Sequence, residues 1–342
     1  MNNRKFGSPS GIAILCLILL ALPPVAVAMG QPYAVTFMAR VLIFGLAALS
    51  LNLILGFGGL TSLGHAVFIG LGAYAVSLMM QAGASNGFLH LAVLLVVGLL
   101  SSLIIGAVAL RTSGLAFLMV TLALAQLIYF VGTGLRRFGG DDGFSFRGHA
   151  DFGGLLTLSN DTSIYYYILF WIMLATVLMY RLLRSRFGLA LRATMGNSQR
   201  AESIGLPVFR YRLVAFVLSG TFCTIAGGLL AYLTQFVSPA YMHWSRSAEL
   251  LLMVLIGGMG TLLGPIIGAA ALILLEEGLA MLTPHWQAPL GILLVMLVIF
   301  ARNGISDFRV LFVLAIDRLR AKAKSPAENE AQVGTASRKA LP

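Results

Sequence analysis

The feature that most constrains this chain is a succession of apolar runs, each about twenty residues long and almost free of charge. Residues 91–110 read LAVLLVVGLLSSLIIGAVAL, and residues 41–55 read VLIFGLAALSLNLIL. Roughly 20 apolar residues in a helix cross the hydrocarbon core of a bilayer. Inside lipid every backbone N–H and C=O must be satisfied within the protein, so only helices and closed β-barrels span it. Barrel strands alternate polar and apolar residues over segments of about ten, whereas these runs are continuous. Hydrophobic residues make up 59% of the chain and charged residues 10%, against about 25% charged in soluble domains. The expected fold class is an all-α polytopic membrane protein.

Apolar spans fall at 11–29, 34–55, 61–80, 88–110, 115–135, 163–183, 213–236, 248–260, 262–282 and 287–303. The stretch 248–282 is too long for one crossing and divides at GGMGTLLGP, residues 257–265. Its first piece is then short, as a broken or half helix would be. About ten transmembrane segments result. Lys and Arg concentrate in cytoplasmic loops and fix orientation. The loop 181–212 holds Arg181, Arg184, Arg186, Arg192, Arg200, Arg210 and Arg212 against one acid, Glu202. The tail carries Arg302, Arg309, Arg318, Arg320, Lys322 and Lys324, and the N-terminus Arg4 and Lys5. All three are expected in the cytoplasm, which ten crossings allow. Residues 1–10 are then a cytoplasmic N-terminus, 11–303 one transmembrane domain, and 304–342 a basic, partly disordered cytoplasmic tail. The loop 136–162, with Arg136, Arg137 and Arg147 against Asp141, Asp142, Asp151 and Asp161, faces outward.

A second reading stands for the N-terminus. Arg4–Lys5, an apolar run and then Ala26-Val27-Ala28 also match a cleaved signal peptide, which would leave nine spans. Retention is favoured, because neighbouring helices can accommodate a kink at Pro23 and Pro24. The net charge of +11 raises nucleic acid as a ligand. The basic residues flank spans and build no soluble domain, which favours a positive-inside membrane protein over a nucleic-acid binder. The two cysteines, Cys16 and Cys223, lie in apolar runs. Neither has a neighbouring His or Cys at metal-ligand spacing, so no disulfide framework, metal site or cofactor is expected.

Two glycine breaks interrupt the apolar pattern. GFGGLTSLGH, residues 56–65, holds four glycines with Thr61, Ser62 and His65. GMGTLLG, residues 258–264, repeats part of it: Gly58, Thr61, Leu63 and Gly64 correspond to Gly258, Thr261, Leu263 and Gly264. Interrupted apolar segments at corresponding places in two halves point to a transport site. A half-helix N-terminus there suits a carboxylate. Gly58, Gly59, Thr61, Ser62, His65, Gly258, Thr261 and Gly264 are therefore candidate substrate-pathway residues. The competing reading is close helix packing, which already accounts for Gly70 and Gly72 beside Ala73, and His65 suits helix packing or capping. Asn52, Gln126, Glu249, Glu276 and Glu277 are the other main polar groups in spans. The three acids fall near outer ends, where water reaches them, and Arg40 reads as a snorkelling side chain near a span start.

In the loop 181–212, Gly188 opens a helical stretch and Gly196-Asn197-Ser198 interrupts it. Asn197 or Ser198 can cap a second short helix, which Gly205 closes and Pro207 keeps from continuing. Two short basic helices between spans suit docking into a partner's groove. SRFGLALRA (185–193) followed by AESIGLPVFRYRLVAFVLSG (201–220) resembles the signature loop of ABC-transporter permeases of the branched-chain amino-acid type, LivM-like. The resemblance extends to LNLILGFGGLTSLGHAVFIGLGAY (51–74), LLLMVLIGGMGTLLGPIIGA (250–269) and GGDDGF (139–144) in the outward loop, and covers residues 35–303.

That resemblance implies a bacterial inner-membrane subunit. It pairs with a homologous, LivH-like second permease, with two cytoplasmic ATPases below and a periplasmic substrate-binding protein above. Gly188, Arg192, Ala201, Glu202, Gly205 and Leu206 then fall in the ATPase-contacting motif, and Gly139, Gly140, Asp141, Asp142 and Gly143 in the periplasmic loop. The chain departs from the family where Gly196-Asn197 replaces an acidic-polar pair and Arg200 stands where a small residue is common. The implied cargo is a branched-chain or related small amino acid. Urea, short amides or another small polar solute are the alternatives within the family, and a stand-alone secondary transporter is the alternative outside it. The chain lacks G-x-x-x-x-G-K-[ST], so ATP hydrolysis is expected in partners. It also lacks H-E-x-x-H and any pair of intramembrane aspartates, so it is not expected to be an enzyme.

Overall fold

The computed structural model describes residues 19–24, 26, 30–154, 157–283 and 285–300. Residues 19–24 are helical. The rest of the expected first span, the residues 1–10 before it and the tail 304–342 lie outside the described residues. The described helices are α1 (Pro32–Leu55), α2 (Ala66–Gln81), α3 (Gly87–Ala109), α4 (Leu115–Gly134), α5 (Asp161–Arg184), α6 (Arg186–Gly196), α7 (Ser198–Ser203), α8 (Val208–Thr234), α9 (Trp244–Gly257), α10 (Gly264–Leu282) and α11 (Gln287–Phe300). One antiparallel pair of two-residue strands, β1 (Phe144–Ser145) and β2 (Phe236–Val237), joins the loop after α4 to the end of α8. The protein is an all-α membrane protein. Among the described residues, six helices are long and apolar enough to cross a bilayer: α1, α3, α4, α5, α8 and α10.

Local chemistry sets the ends of these helices. Asn86 caps α3, its side chain accepting from the Phe88 and Leu89 amides at 3.0 and 3.4 Å. Asp161 opens α5 and Arg181 and Arg184 close it, each charge matching the helix dipole. Pro207 sets the start of α8, which begins at Val208, five residues before the expected 213. The expected span 61–80 begins at Ala66 instead, because 56–65 is not helical. The expected piece 248–260 is α9, 14 residues long. At 1.5 Å per residue it extends only about 21 Å.

Packing sorts the helices into a centre and a lipid-facing rim. The most apolar window of α1 is 89% buried, and that of α4 only 17%. Leu99, Leu100 and Ile104 on α3 and Leu115, Met119 and Phe130 on α4 are exposed. Such a surface would drive a soluble protein to associate; in a bilayer it is the contact with acyl chains. Helices alternate between two ends. His90 near the start of α3 bonds Tyr232 near the end of α8, while Ser102 further along α3 bonds the Val217 carbonyl, so the two run antiparallel. The starts of α1 and α5 meet through Thr36 and Asp161. Tyr33 at the start of α1 donates to Glu277 near the end of α10 at 2.6 Å. One end therefore carries β1–β2 and the other carries α6, α7 and their arginines.

Candidate substrate route and coupling surface

The two glycine breaks, some 200 residues apart in sequence, meet at the arginine-rich end. Asn52, in the last turn of α1 and buried, bridges them. Its Nδ2 donates to the Thr261 carbonyl at 2.7 Å and its Oδ1 accepts from the Gly260 amide at 3.1 Å. Gly258 holds φ +100°, closing α9 with a backbone that L side chains rarely adopt. A side chain on Gly264 would run into the Thr261 hydroxyl and the Gly257 carbonyl. Thr261 itself donates to the Gly258 carbonyl at 2.7 Å. Across the joint, a Cβ on Gly58 would approach the Ile54 carbonyl to 2.7 Å. Thr61 is half-buried.

Ser62 and His65 point inward. Both are fully buried. His65 Nδ1 lies 3.2 Å from Ser62 Oγ, and Nε2 lies 2.9 Å from Ser219 Oγ. Ser219 in turn donates to the Ser50 carbonyl. Phe68 and Phe216 pack their edges against the imidazole. This chain of polar groups ties the start of α2 to α1 and α8, and Ser247 of α9 adds a fourth tie by accepting from the Ala66 amide at 2.9 Å. The imidazole is thus enclosed by helices, in keeping with a packing role.

The basic loop folds as two short helices. A Cβ on Gly188 would approach the Leu183 carbonyl to 2.5 Å, so glycine lets α6 leave α5 abruptly. Arg192 closes that corner: Nε donates to the Gly188 carbonyl at 3.0 Å and Nη2 to the Leu183 carbonyl at 2.9 Å. Asn197 is the cap of α7, accepting from the Arg200 amide at 2.9 Å. Ala201 is buried, Glu202 is exposed, and Gly205 turns the chain at φ +83°. The Leu206 amide returns to the Ala201 carbonyl at 3.1 Å. Arg212 on α8 donates to the Thr194 carbonyl at 3.0 Å, closing the end of α6. Leu189, Met195 and Ile204 remain exposed on the outside of this unit. The loop also touches the first break, since a Cβ on Gly59 would come within 2.8 Å of Met195 Cγ.

At the opposite end, 139–143 forms a tight turn against the end of α8. Gly139 and Gly143 both have positive φ, and a Cβ on Gly143 would overlap the Val237 carbonyl. Asp141 and Asp142 are exposed there. Beside it opens a cavity of about 470 Å³. Phe37, Phe44, Ile69, Leu230 and Leu233 supply its apolar wall, and Thr36, Thr234, Tyr241, Arg40 and Arg246 its polar groups. Arg246 is paired with Glu249 at 2.7 Å. Arg40, read from the sequence as a snorkelling side chain near a span start, sits in the third turn of α1 and lines the cavity. Its position nine residues into the helix was the one sequence signal for this site, and Thr234, Tyr241 and Arg246 gave none.

A many-helix membrane bundle with paired interrupted helices and a cavity lined by polar and apolar groups at one end has the build of a transport protein. The chain belongs to the family described as branched-chain amino acid transport system / permease component, which matches residues 33–301. It is 28% identical over 315 residues to the high-affinity branched-chain amino acid transport system permease protein LivM of Salmonella typhimurium, covering 84% of this chain and 74% of that one. The same identity and coverage hold for LivM of Escherichia coli. A shorter stretch of 69 residues is 39% identical to a probable branched-chain amino acid transport permease protein LivH of Methanocaldococcus jannaschii, covering 20% of this chain and 22% of that one. No solved structure matches the chain.

Proposed function

We propose that this chain is the pore-forming permease subunit of an ATP-binding-cassette importer in a bacterial inner membrane, moving branched-chain or related small aliphatic amino acids. Its partners in this reading are a LivH-like second permease, two cytoplasmic ATPases and a periplasmic binding protein. The chain crosses the membrane ten times with both termini in the cytoplasm, and the 139–143 turn faces the periplasm. The alternation of helix ends and the clustering of arginines at one end support that orientation.

The observation that carries the reading is the contact between Met195 of the basic loop and Gly59 of the first break. A partner pressing on α6 and α7 reaches the interruption between α1 and α2 directly. Ile69, in the first turn of α2 just beyond that interruption, lines the cavity. Movement at the ATPase side is thereby linked to the shape of the solute route, as a two-state pump requires.

Glu202 and Gly205 test this. Glu202→Ala alters an exposed group. Gly205→Val forces a β-branched residue into a left-handed conformation, at a cost of about 1–2 kcal/mol confined to the loop. Both variants are expected to fold normally but to lose ATPase co-purification or substrate-stimulated ATP hydrolysis several-fold. Wild-type values of both quantities in both variants would refute the coupling role.

A further inference from the structure

The 470 Å³ cavity is lined by two guanidinium groups, Arg40 and Arg246. Arg246 is held by Glu249, Tyr33 holds Glu277, and Thr36 donates to Asp161. Arg40, among the described residues, makes no hydrogen bond or ion pair. Glu276 lies within its electrostatic reach but lines a separate groove with Trp286 and Leu290. A guanidinium half-withdrawn from water is poorly solvated and presents a planar fork that matches a carboxylate with two parallel hydrogen bonds. One turn deeper on the same helix face lies Phe44, beside Ile69 and Leu230. The hydroxyl of Tyr241 and that of Thr234, which already donates to the Leu230 carbonyl, also line the cavity and have lone pairs available.

We propose that this cavity is a binding station for a zwitterionic aliphatic amino acid. Arg40 holds the carboxylate, the Thr234 and Tyr241 oxygens accept from the ammonium, and Phe44, Ile69 and Leu230 enclose the side chain. The assignment rests on the transport reading above and adds the site to it. Each ligand group has a chemical complement among the residues that line the cavity. A lipid headgroup bearing a carboxylate or phosphate is the other source of an anion for Arg40, and the experiment separates the two.

The test uses the complete importer in proteoliposomes, with leucine and its carboxylate-free analogue leucinamide as probes. In Arg40→Gln the half-saturating leucine concentration is expected to rise about tenfold or more, the scale of one lost charged contact. Leucinamide, which has no carboxylate for Arg40 to hold, should lose less than leucine does. Arg40→Lys should fall between. A second variant, Leu230→Trp, fills the apolar wall and should slow leucine uptake while sparing alanine, and it serves if Arg40→Gln fails to assemble. A thiol at Thr234→Cys should be shielded from a charged thiol reagent by leucine in wild-type background and not in Arg40→Gln. That readout is independent of transport, so an importer that carries no leucine, but whose thiol is shielded, overturns the transport reading and leaves the site. Wild-type leucine kinetics in both Arg40→Gln and Leu230→Trp overturn the site, as does a co-purifying anionic lipid lost in Arg40→Gln with uptake unchanged.

Discussion

Asn52→Leu is expected to lower the melting temperature of the detergent-solubilised protein sharply, although it removes no apolar contact and nearly preserves side-chain volume. Asn52 is buried and satisfies two backbone groups of the second glycine break, the Thr261 carbonyl and the Gly260 amide. Among the described residues neither has another hydrogen-bond partner, in a segment that has left helical geometry. Each buried polar group stripped of its partner costs about 1–3 kcal/mol, so the pair amounts to about 2–6 kcal/mol unless water enters. Thr261→Val is the contrast. It deletes only a hydroxyl that bonds its own turn, at Gly258, and should cost about 1 kcal/mol. Thermal unfolding followed by tryptophan fluorescence orders the variants. Equal melting temperatures for Asn52→Leu and the wild type would show that the joint contributes nothing to holding the two interrupted helices together.

That joint marks how much of the molecule could be read from its residues. Length and charge pattern yield the class of fold, because a continuous apolar run in lipid has only one local solution. The breaks were visible as well, since glycine clusters within such runs are rare and Gly258 does adopt a backbone that few other residues tolerate. Asn197 was legible as a cap for the same local reason. Which groups meet across the bundle was not. Asn52 and Thr261 are 209 positions apart, and nothing in either segment specifies the other. The helix-period pattern also failed at Ala66 and Val208, where a polar stretch and a proline, rather than hydropathy, decide the helix start. That Arg40 lines a cavity was not legible either, because the residues around it come from α2, α8 and α9, far from it in the chain. The basic loop lay between these cases: its helices follow from local residues, but its contact with Gly59 depends on the fold.

The crossing of α2 and α8 should tolerate no added side-chain atom. A Cβ on Gly72 would overlap the Thr224 carbonyl, and one on Gly227 would overlap the Ile69 carbonyl. Both obstacles are backbone oxygens, which cannot rotate aside as a side chain would. The helices must separate, although alanine would favour each helix by about 1 kcal/mol taken alone. Overpacking of this kind costs about 1–3 kcal/mol or more, and separation also stretches the 2.9 Å His65–Ser219 contact between the same two elements. Gly72→Ala and Gly227→Ala should each reduce the yield of monodisperse protein, and valine at either site should abolish it. Gly278→Ala on α10, with open space around it, should leave yield unchanged or raise it. Because one outward shift of α2 relieves both overlaps, the double alanine variant should lose less than the sum of the single losses. Full additivity would mean that the two glycines relieve separate constraints, and unchanged yield in both singles would mean that the crossing is looser than its backbone contacts require.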